Sequence, residues 1–300
     1  MQPMQLILVS GLSGSGKSIA LHVLEDGGYY CVDNLPATVL LPVVESLIAA
    51  GHERIALSID ARSASLAALP EGLARLRERR IDCRVLFLEA RPQTLIRRFS
   101  ETRRTHPLAT GKKTLAEAID EERTLLAGVA DAGHRIDTSD LQPRALQSWV
   151  KDLVNMPGDS LTLLFQSFAY REGIPLDADW VFDSRMLPNP HYEAVLRPLT
   201  GLDAPVAEYL DGQPTARQLV EDIRALLVRW LPEVRRENRN YVTIAIGCTG
   251  GQHRSVYLVE RLALLFHGTD RVLVRHRGLQ SEQGDAIKAP ASPRTPQPPG

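Results

Sequence analysis

The stretch Gly11-Leu12-Ser13-Gly14-Ser15-Gly16-Lys17-Ser18 decides how this chain is read. An apolar run, Leu6-Ile7-Leu8-Val9, leads into it, and a helix-like segment, residues 19–25, follows. Strand, glycine loop and helix in that order, with Gly-x4-Gly-Lys-Ser between them, form the setting of a phosphate-binding loop. Glycines let successive backbone N–H groups turn toward a polyphosphate, and the start of the next helix adds the positive end of its dipole. The pattern assigns Lys17 to the β- and γ-phosphates and Ser18 to Mg2+. A chance glycine turn would need the full pattern and both flanks to coincide. The expected ligand is ATP or GTP, held by residues 11–18, with Lys17 and Ser18 serving any catalysis.

Outward from the loop, strand-like and helix-like segments alternate. Tyr29-Tyr30-Cys31-Val32-Asp33 is a short strand stopped by Asn34-Leu35-Pro36, and an apolar helical stretch runs on to Ala50. Residues 54–60 (RIALSID) read as a strand, 66–80 as a helix, and 83–89 (CRVLFLE) as a strand apolar enough to be covered on both faces. Residues 92–104 form a helix with Pro92 in its first turn. Thr114-Leu115-Ala116-Glu117 is a capping box, after which Leu115, Ile119, Leu126 and Val129 keep one apolar face. Residues 135–137 are a last strand and 141–154 a last helix. This alternation predicts a doubly wound parallel α/β sheet resembling the P-loop kinases, occupying residues 1–155.

Ligands in such sheets sit beyond the carboxyl ends of the strands. Asp33, Asp60 and Glu89 end strands there, and Asp33 and Asp60 are the better candidates for holding Mg2+ through water; a helix-capping role competes with this for each. Asp60-Ala61-Arg62-Ser63 is a weaker candidate for reading a guanine edge through its carboxylate. Arg91, Arg97, Arg98, Arg103, Arg104, Lys112 and Lys113 crowd one region. They read either as a basic lid over nucleotide phosphates or as a solvated helix face, with Asp120, Glu121 and Glu122 offsetting the charge locally.

Asn155-Met156-Pro157-Gly158-Asp159-Ser160 has turn chemistry and marks a boundary. A second, smaller α/β domain is expected over residues 160–278. It contains strands at 161–168 (LTLLFQSF), 180–183 (WVFD), 241–246 (YVTIAI) and 272–274. Thr215 to Gln218 is read as a second capping box, and Leu219, Val220, Ile223, Leu226, Leu227 and Trp230 as a core stripe. The strand at 241–246 runs into Gly247-Cys248-Thr249-Gly250-Gly251-Gln252-His253-Arg254-Ser255 and a helix at 256–266, a second setting for an anion. Cys248-x5-Arg254-Ser255 has the spacing of cysteine phosphatases, but Gly247 stands where those enzymes carry His. Binding of a phosphorylated small molecule without cleavage is the preferred reading, with Asp183 and His191 as candidate wall residues. Arg271, Arg275, His276 and Arg277 form a small basic cluster. Residues 279–300 are rich in Pro, Ser, Gln and Ala and are expected to be disordered.

The bulk properties narrow the classes. Of the 300 residues 44% are hydrophobic, enough for real cores. A formal net charge of −1 excludes a global field for nucleic acid or membrane, so any such surface must be local. Three cysteines, Cys31, Cys83 and Cys248, are widely spaced, which suits a reducing cytoplasm and argues against a zinc knuckle. The first residues lack signal-peptide character, and no run approaches the ~20 apolar residues of a membrane span.

The motifs GLSGSGKS, YYCVDNLP, SIDARS, RRFSETRRTHPL, FDSRMLPNPHY, LRPLTGLD and IGCTGGQHRSVYLVE together resemble the RapZ/YvcJ family of bacterial P-loop nucleotide-binding proteins, over about residues 5–277. The resemblance implies ATP and GTP binding with weak hydrolysis, with ATP on residues 11–18 and the family's proposed GTP contact on Asp60, Ala61, Arg62 and Ser63. It implies that the C-terminal half senses glucosamine-6-phosphate through Asp183, Cys248, Thr249, Gly250, Gly251, His253 and Arg254. Enteric members of the family also bind a small RNA and deliver it to an RNase through a dense terminal Lys/Arg cluster. Here the corresponding residues are Arg275, His276 and Arg277, followed by a Pro-rich tail with only Lys288 and Arg294. A homo-oligomer is expected. A small-molecule kinase and a phosphatase built on Cys248 are the competing functions.

Overall fold

The computed structural model describes residues 4–62, 66–81, 83–109, 113–154, 161–236 and 241–280. Four sequence expectations fall outside these: Ser63 of the guanine contact, Lys112 of the basic region, the boundary turn at residues 155–160, and the tail from residue 281.

The first unit begins with β1 (Gln5–Gly11), which delivers the glycine loop to α1 (Lys17–Asp26). β2 (Tyr30–Val32), α2 (Leu40–Ala49), β3 (Arg54–Ser58), α3 (Leu69–Glu78), β4 (Cys83–Glu89), α4 (Pro92–Thr102), α5 (Leu115–Ala132), β5 (His134–Asp137) and α6 (Pro143–Val154) follow. The five strands form one sheet in the order β2-β3-β1-β4-β5, all parallel. Its strands alternate between two apolar layers. Leu6, Leu8, Ile55, Leu57, Val85 and Phe87 pack with α2, α3 and α5 on one face. Ile7, Val9, Ala56, Leu86 and Leu88 pack with α1 and α6 on the other. Both faces are covered, which is why the strands read as unbroken apolar runs. The Thr114–Glu117 capping box opens α5 as the sequence predicts: the Thr114 hydroxyl accepts from Glu117 N, and the Glu117 carboxylate accepts from Thr114 N.

The second unit has β6 (Thr162–Ala169), β7 (Trp180–Asp183), α7 (Ala204–Asp211), α8 (Pro214–Arg236), β8 (Tyr241–Cys248), α9 (Arg254–Phe266), β9 (Arg271–His276) and the single turn α10 (Arg277–Gln280). Its four strands are parallel in the order β7-β8-β6-β9. Leu163, Phe165, Val242, Ile244 and Ile246 face a core shared with α7, α8 and α9. Tyr241 and Leu273 instead pack against the α1–α6 layer of the first unit, so the two sheets share that layer.

Three local expectations are corrected. α8 starts at Pro214, and the amides of Ala216 and Arg217 donate to Gln213 O, so Thr215 lies inside the helix and cannot cap it. The core stripe of α8 is narrower than expected: Ile223, Leu227 and Leu231 are buried, while Leu226 and Trp230 are exposed. α10 also carries helical structure to Gln280, two residues into the stretch expected to be disordered.

Candidate functional site

The glycine loop sits at the carboxyl end of β1, the central strand of its sheet. Gly11 has φ +141°, and a Cβ there would lie 2.0 Å from Leu88 O of the neighbouring strand; only glycine fits. Within the loop Lys17 Nζ donates to Gly11 O (2.6 Å). Three side chains brace it from outside. Glu122 of α5 accepts from Ser13 N (2.8 Å) and Ser13 Oγ (2.7 Å). Arg98 of α4 donates to Gly14 O (3.0 Å), and Thr138, just past β5, donates to Ser15 O (2.9 Å). Ser15 Oγ is buried without a hydrogen-bond partner among the described residues.

Burial lowers the pKa of the Lys17 ammonium from its usual value, and the charges of Glu122, Asp60 and Asp33, in decreasing order, oppose that shift. Three carboxylates therefore surround the loop's cation. They are differently engaged. Asp60 accepts from Arg62 N (2.9 Å), Arg62 Nε (2.9 Å) and the Arg62 guanidinium terminus (2.6 Å), and the same guanidinium reaches Asn34 (2.6 Å). A guanine edge would have to displace Arg62 to reach Asp60, and Ala61 is buried beside it. Asp33 is exposed, with Asn34 N on one oxygen (2.8 Å). Ser18 is exposed in the first turn of α1. Glu89, the third acidic strand end, is buried and bonded to Arg135 (2.7 Å); burial raises its carboxyl pKa against the pull of Arg135. Among the described residues no cluster of three His, Cys, Asp or Glu could hold a metal.

The basic region divides in two. Arg98 is committed to the loop and to Thr138, and Arg91 lies 3.4 Å from Asp140. Arg97, Arg103 and Arg104 are exposed, as the solvated-face reading requires.

In the second unit β8 delivers Cys248 to a turn that ends at α9. The Cys248 thiol is buried, accepts from Gly251 N (3.2 Å) and lies 3.2 Å from Ser255 Oγ. A Cβ on Gly247 would lie 2.4 Å from Phe168 Cζ and 2.6 Å from Tyr170 Cε2, so the His that phosphatases carry there would have to push these rings aside. Arg254, the first residue of α9, is buried. One of its terminal nitrogens donates to Arg185 O (2.9 Å) and Leu187 O (3.1 Å), while its Nε is buried with no partner among the described residues. Asp183 pairs with Arg185 (2.7 Å), whose guanidinium lies 4.0 Å over the Tyr170 ring. Hydrogen bonds from Arg185 hold the Asp183 carboxyl below its usual pKa, and the Arg254 charge adds to this. Thr249 is exposed and Gly250 opens onto free space, whereas Gly251 is buried. His253 turns away: it is buried, its Nε2 lies 3.2 Å from Leu196 O, and burial pushes its pKa down. Its ring is 6.3 Å from that of His191, which is exposed.

Arg275, His276 and Arg277 do not form the exposed basic surface the sequence suggests. Arg275 is buried with its guanidinium 4.0 Å over the Trp149 ring, and burial pushes its pKa down to about 9. His276 lies 2.9 Å from Ser167 Oγ and 2.9 Å from Glu260. Arg277 is buried between the two units, 3.4 Å from Asp137, 3.3 Å from Asp140 and 3.9 Å from Asp177. The physical reason is that carboxylates from both units compensate these guanidiniums, so they need not reach water.

The N-terminal unit matches the description "RapZ-like N-terminal domain" over residues 4–157, and the second unit matches "RapZ C-terminal domain" over residues 161–280. The chain belongs to the RapZ family. A nucleotide-binding protein of Aromatoleum aromaticum is 58% identical over 276 residues, 91% of this chain and 94% of the relative. Another, of Azoarcus sp., is 56% identical over 288 residues, 95% and 99% of the two chains. Among solved structures, shikimate kinase from Acinetobacter baumannii shares 14% identity, 51% of this chain and 93% of its own, with a TM-score of 0.38.

Within this RapZ-family chain the motifs assign no individual role to several residues that shape the two loops. Glu122, His106, Arg98 and Thr138 surround the phosphate loop from distant segments. Arg185 and Tyr170 shape the second loop, and the amide of Gly201 closes it from the side by donating to Gln252 O (2.8 Å). For Glu122 a signal existed: the apolar face of α5 runs 115, 119, 126, 129, and position 122 falls on that stripe.

Proposed function

We propose that this chain is a nucleotide-binding regulatory protein with weak ATP and GTP hydrolysis, whose C-terminal loop senses a phosphorylated amino sugar, glucosamine-6-phosphate being the expected ligand. The observation that carries the first half is Lys17: a largely buried amine at the start of a helix that donates to a carbonyl, with carboxylates nearby that oppose the loss of its charge. Such a cation awaits an anion, and the orphaned Ser15 hydroxyl in the same loop adds a donor. Relatives named as nucleotide-binding proteins support the same reading.

Mg2+ demands few protein ligands and keeps its waters and phosphate oxygens. The exposed Ser18 hydroxyl and the second Asp33 oxygen, which carries no hydrogen bond among the described residues, fit that modest requirement. When bound there, the ion would neutralise phosphate charge. The chain's own part is to hold the triphosphate with loop amides and Lys17.

For the second half the supporting observation is the unpartnered, buried Arg254 Nε. One terminal nitrogen is anchored on two carbonyls, so the guanidinium is aimed, and its remaining edge is left for a planar, bidentate acceptor such as phosphate. Asp183, close enough to feel the Arg254 charge, offers a carboxylate to an ammonium group if Arg185 yields it. Cys248 is a buried wall residue in this reading. No RNA contact is assigned to Arg275 or Arg277, whose guanidiniums are buried.

Calorimetry with ATP and GTP, with and without Mg2+, tests the nucleotide site on the native chain and on Lys17→Ala. Native binding in the presence of Mg2+ and a loss of about 100-fold or more in hydrolysis for the variant are expected. Equal hydrolysis by both proteins, each with the same melting temperature, overturns the assignment.

A further inference from the structure

Glu122 has no place in the phosphate-loop pattern, yet it is the loop's most closely bonded external support. It lies in the middle of α5 with 1% of its surface exposed. Its carboxylate accepts three hydrogen bonds: Ser13 N (2.8 Å) and Ser13 Oγ (2.7 Å) on one side, and His106 Nε2 (3.1 Å) on the other. His106 belongs to the connection between α4 and α5, the segment that carries the exposed Arg103 and Arg104. It is buried, its ring 5.2 Å from the Phe99 ring and tilted 52° to it.

The protonation of this cluster follows from its geometry. His106 Nδ1 accepts from Leu108 N (3.1 Å), so that nitrogen must hold a lone pair. The ring is then neutral, with its proton on Nε2, and it donates to Glu122. His106 therefore satisfies the carboxylate without neutralising it. Among the charges that raise the Lys17 pKa, Glu122 is the largest.

We propose that Glu122 is a positioning residue for the phosphate loop. It clasps Ser13 on one side and His106 on the other, so the shape of the loop and the place of the α4–α5 connection are set together. α4, at the other end of that connection, holds the next loop residue: Arg98 donates to Gly14 O (3.0 Å), and the Phe99 ring would lie 3.3 Å from a Cβ on Gly14. Two consecutive loop residues are thus held by the two helices that the connection joins. The inference rests on the nucleotide-site reading for its ligand, a nucleoside triphosphate, but the clasp exists without one.

Two substitutions separate bonding from charge. In Glu122→Gln the amide oxygen can accept from Ser13 N and His106, and the amide nitrogen can donate to Ser13 Oγ, because a hydroxyl can turn to accept. The clasp survives and only the charge is lost. Glu122→Ala breaks both arms, and His106→Ala breaks only the arm that does not touch the loop. Hydrogen exchange on the full-length, nucleotide-free chain reads the peptides covering 10–18 and 103–109. Fluorescent-nucleotide titration reads affinity. Glu122→Ala and His106→Ala are expected to speed exchange in both peptides by about tenfold and to weaken nucleotide binding by a similar factor, the equivalent of about 1.4 kcal/mol. Glu122→Gln is expected to keep native exchange and to bind nucleotide at least as tightly, since a negative charge beside the phosphates is gone. Native behaviour of Glu122→Ala, or confinement of the His106→Ala effect to 103–109, overturns the proposal. So does a Glu122→Gln chain that is folded by circular dichroism yet exchanges like the alanine variant. If the native chain binds no nucleotide, the site reading fails, while the exchange arm still decides the clasp.

Discussion

Replacing Arg277 by Met keeps most of the side-chain volume at the junction and removes its charge. Arg277 is 6% exposed, Asp137 is fully buried and Asp177 is 6% exposed, so water screens little here. A unit pair at 3.4 Å is worth about 5 kcal/mol in gross Coulomb energy at an effective dielectric of about 20. Breaking such a pair from one side leaves buried carboxylates uncompensated, which costs about 3–5 kcal/mol. Other bonds soften but do not cancel this: Asp137 accepts from Ser139 N (2.9 Å) and Leu176 N (3.1 Å), and Asp177 from Gln166 (3.0 Å) and Asp137 N (3.1 Å). Burial raises the Asp177 carboxyl above its usual pKa, with Arg277 pulling it back. Without Arg277 it rises further. A carboxyl with a raised folded-state pKa binds more protons folded than unfolded, so stability falls as pH climbs from the ordinary Asp value through the folded value. The variant should therefore lose about 3–5 kcal/mol at pH 7 and less near pH 5. Urea denaturation at both pH values, followed by circular dichroism and by the fluorescence of the chain's tryptophans, measures the difference. A deficit below about 1 kcal/mol at pH 7, or one independent of pH, would refute the reasoning.

The second loop supplies the remaining predictions. Gly247→Ala drives a methyl group into the Phe168 and Tyr170 rings and should cost about 1–3 kcal/mol; a variant as stable as the native chain removes the steric account of why His is missing there. Arg254→Ala should abolish calorimetric binding of glucosamine-6-phosphate, whereas Cys248→Ser should keep part of it, since a hydroxyl can still accept from Gly251 N. Phosphate release by the native chain that vanishes in Cys248→Ser would instead establish a phosphatase.

The parallel sheet of the first unit was legible because β1 and β4 are buried on both faces and carry no alternation to misread. The loop was legible because its glycines and Lys17 are contiguous. Glu122 was not, because Glu121 and Arg123 beside it make the segment look like a solvated charge run; only its place on the apolar stripe sets it apart. The second half was readable in its strands and glycine turn, but α8 misled at both ends. Proline opened the helix before the threonine that resembled a cap, and the apolar residues Leu226 and Trp230 exceed what one buried stripe can hold. Arg275, His276 and Arg277 were least legible. Three basic residues in a row suggest a solvent-facing patch, and nothing local reveals that Asp137, 140 positions earlier, lies beside Arg277 in space.

That separation also orders events during synthesis. Every strand of the first sheet has left the ribosome once Asp137 has, but Arg277 arrives 140 residues later. At bacterial and eukaryotic elongation rates of roughly 5–20 residues per second this is a delay of about 7–28 s. Throughout it the N-terminal sheet can be complete and the phosphate loop already braced by Thr138. Leu176 and Asp177 can join Asp137 early, but its buried cation comes only with the last helical turn of the described chain. A ribosome that stalls short of it leaves a nascent chain whose seam carries carboxylates without their compensating charge.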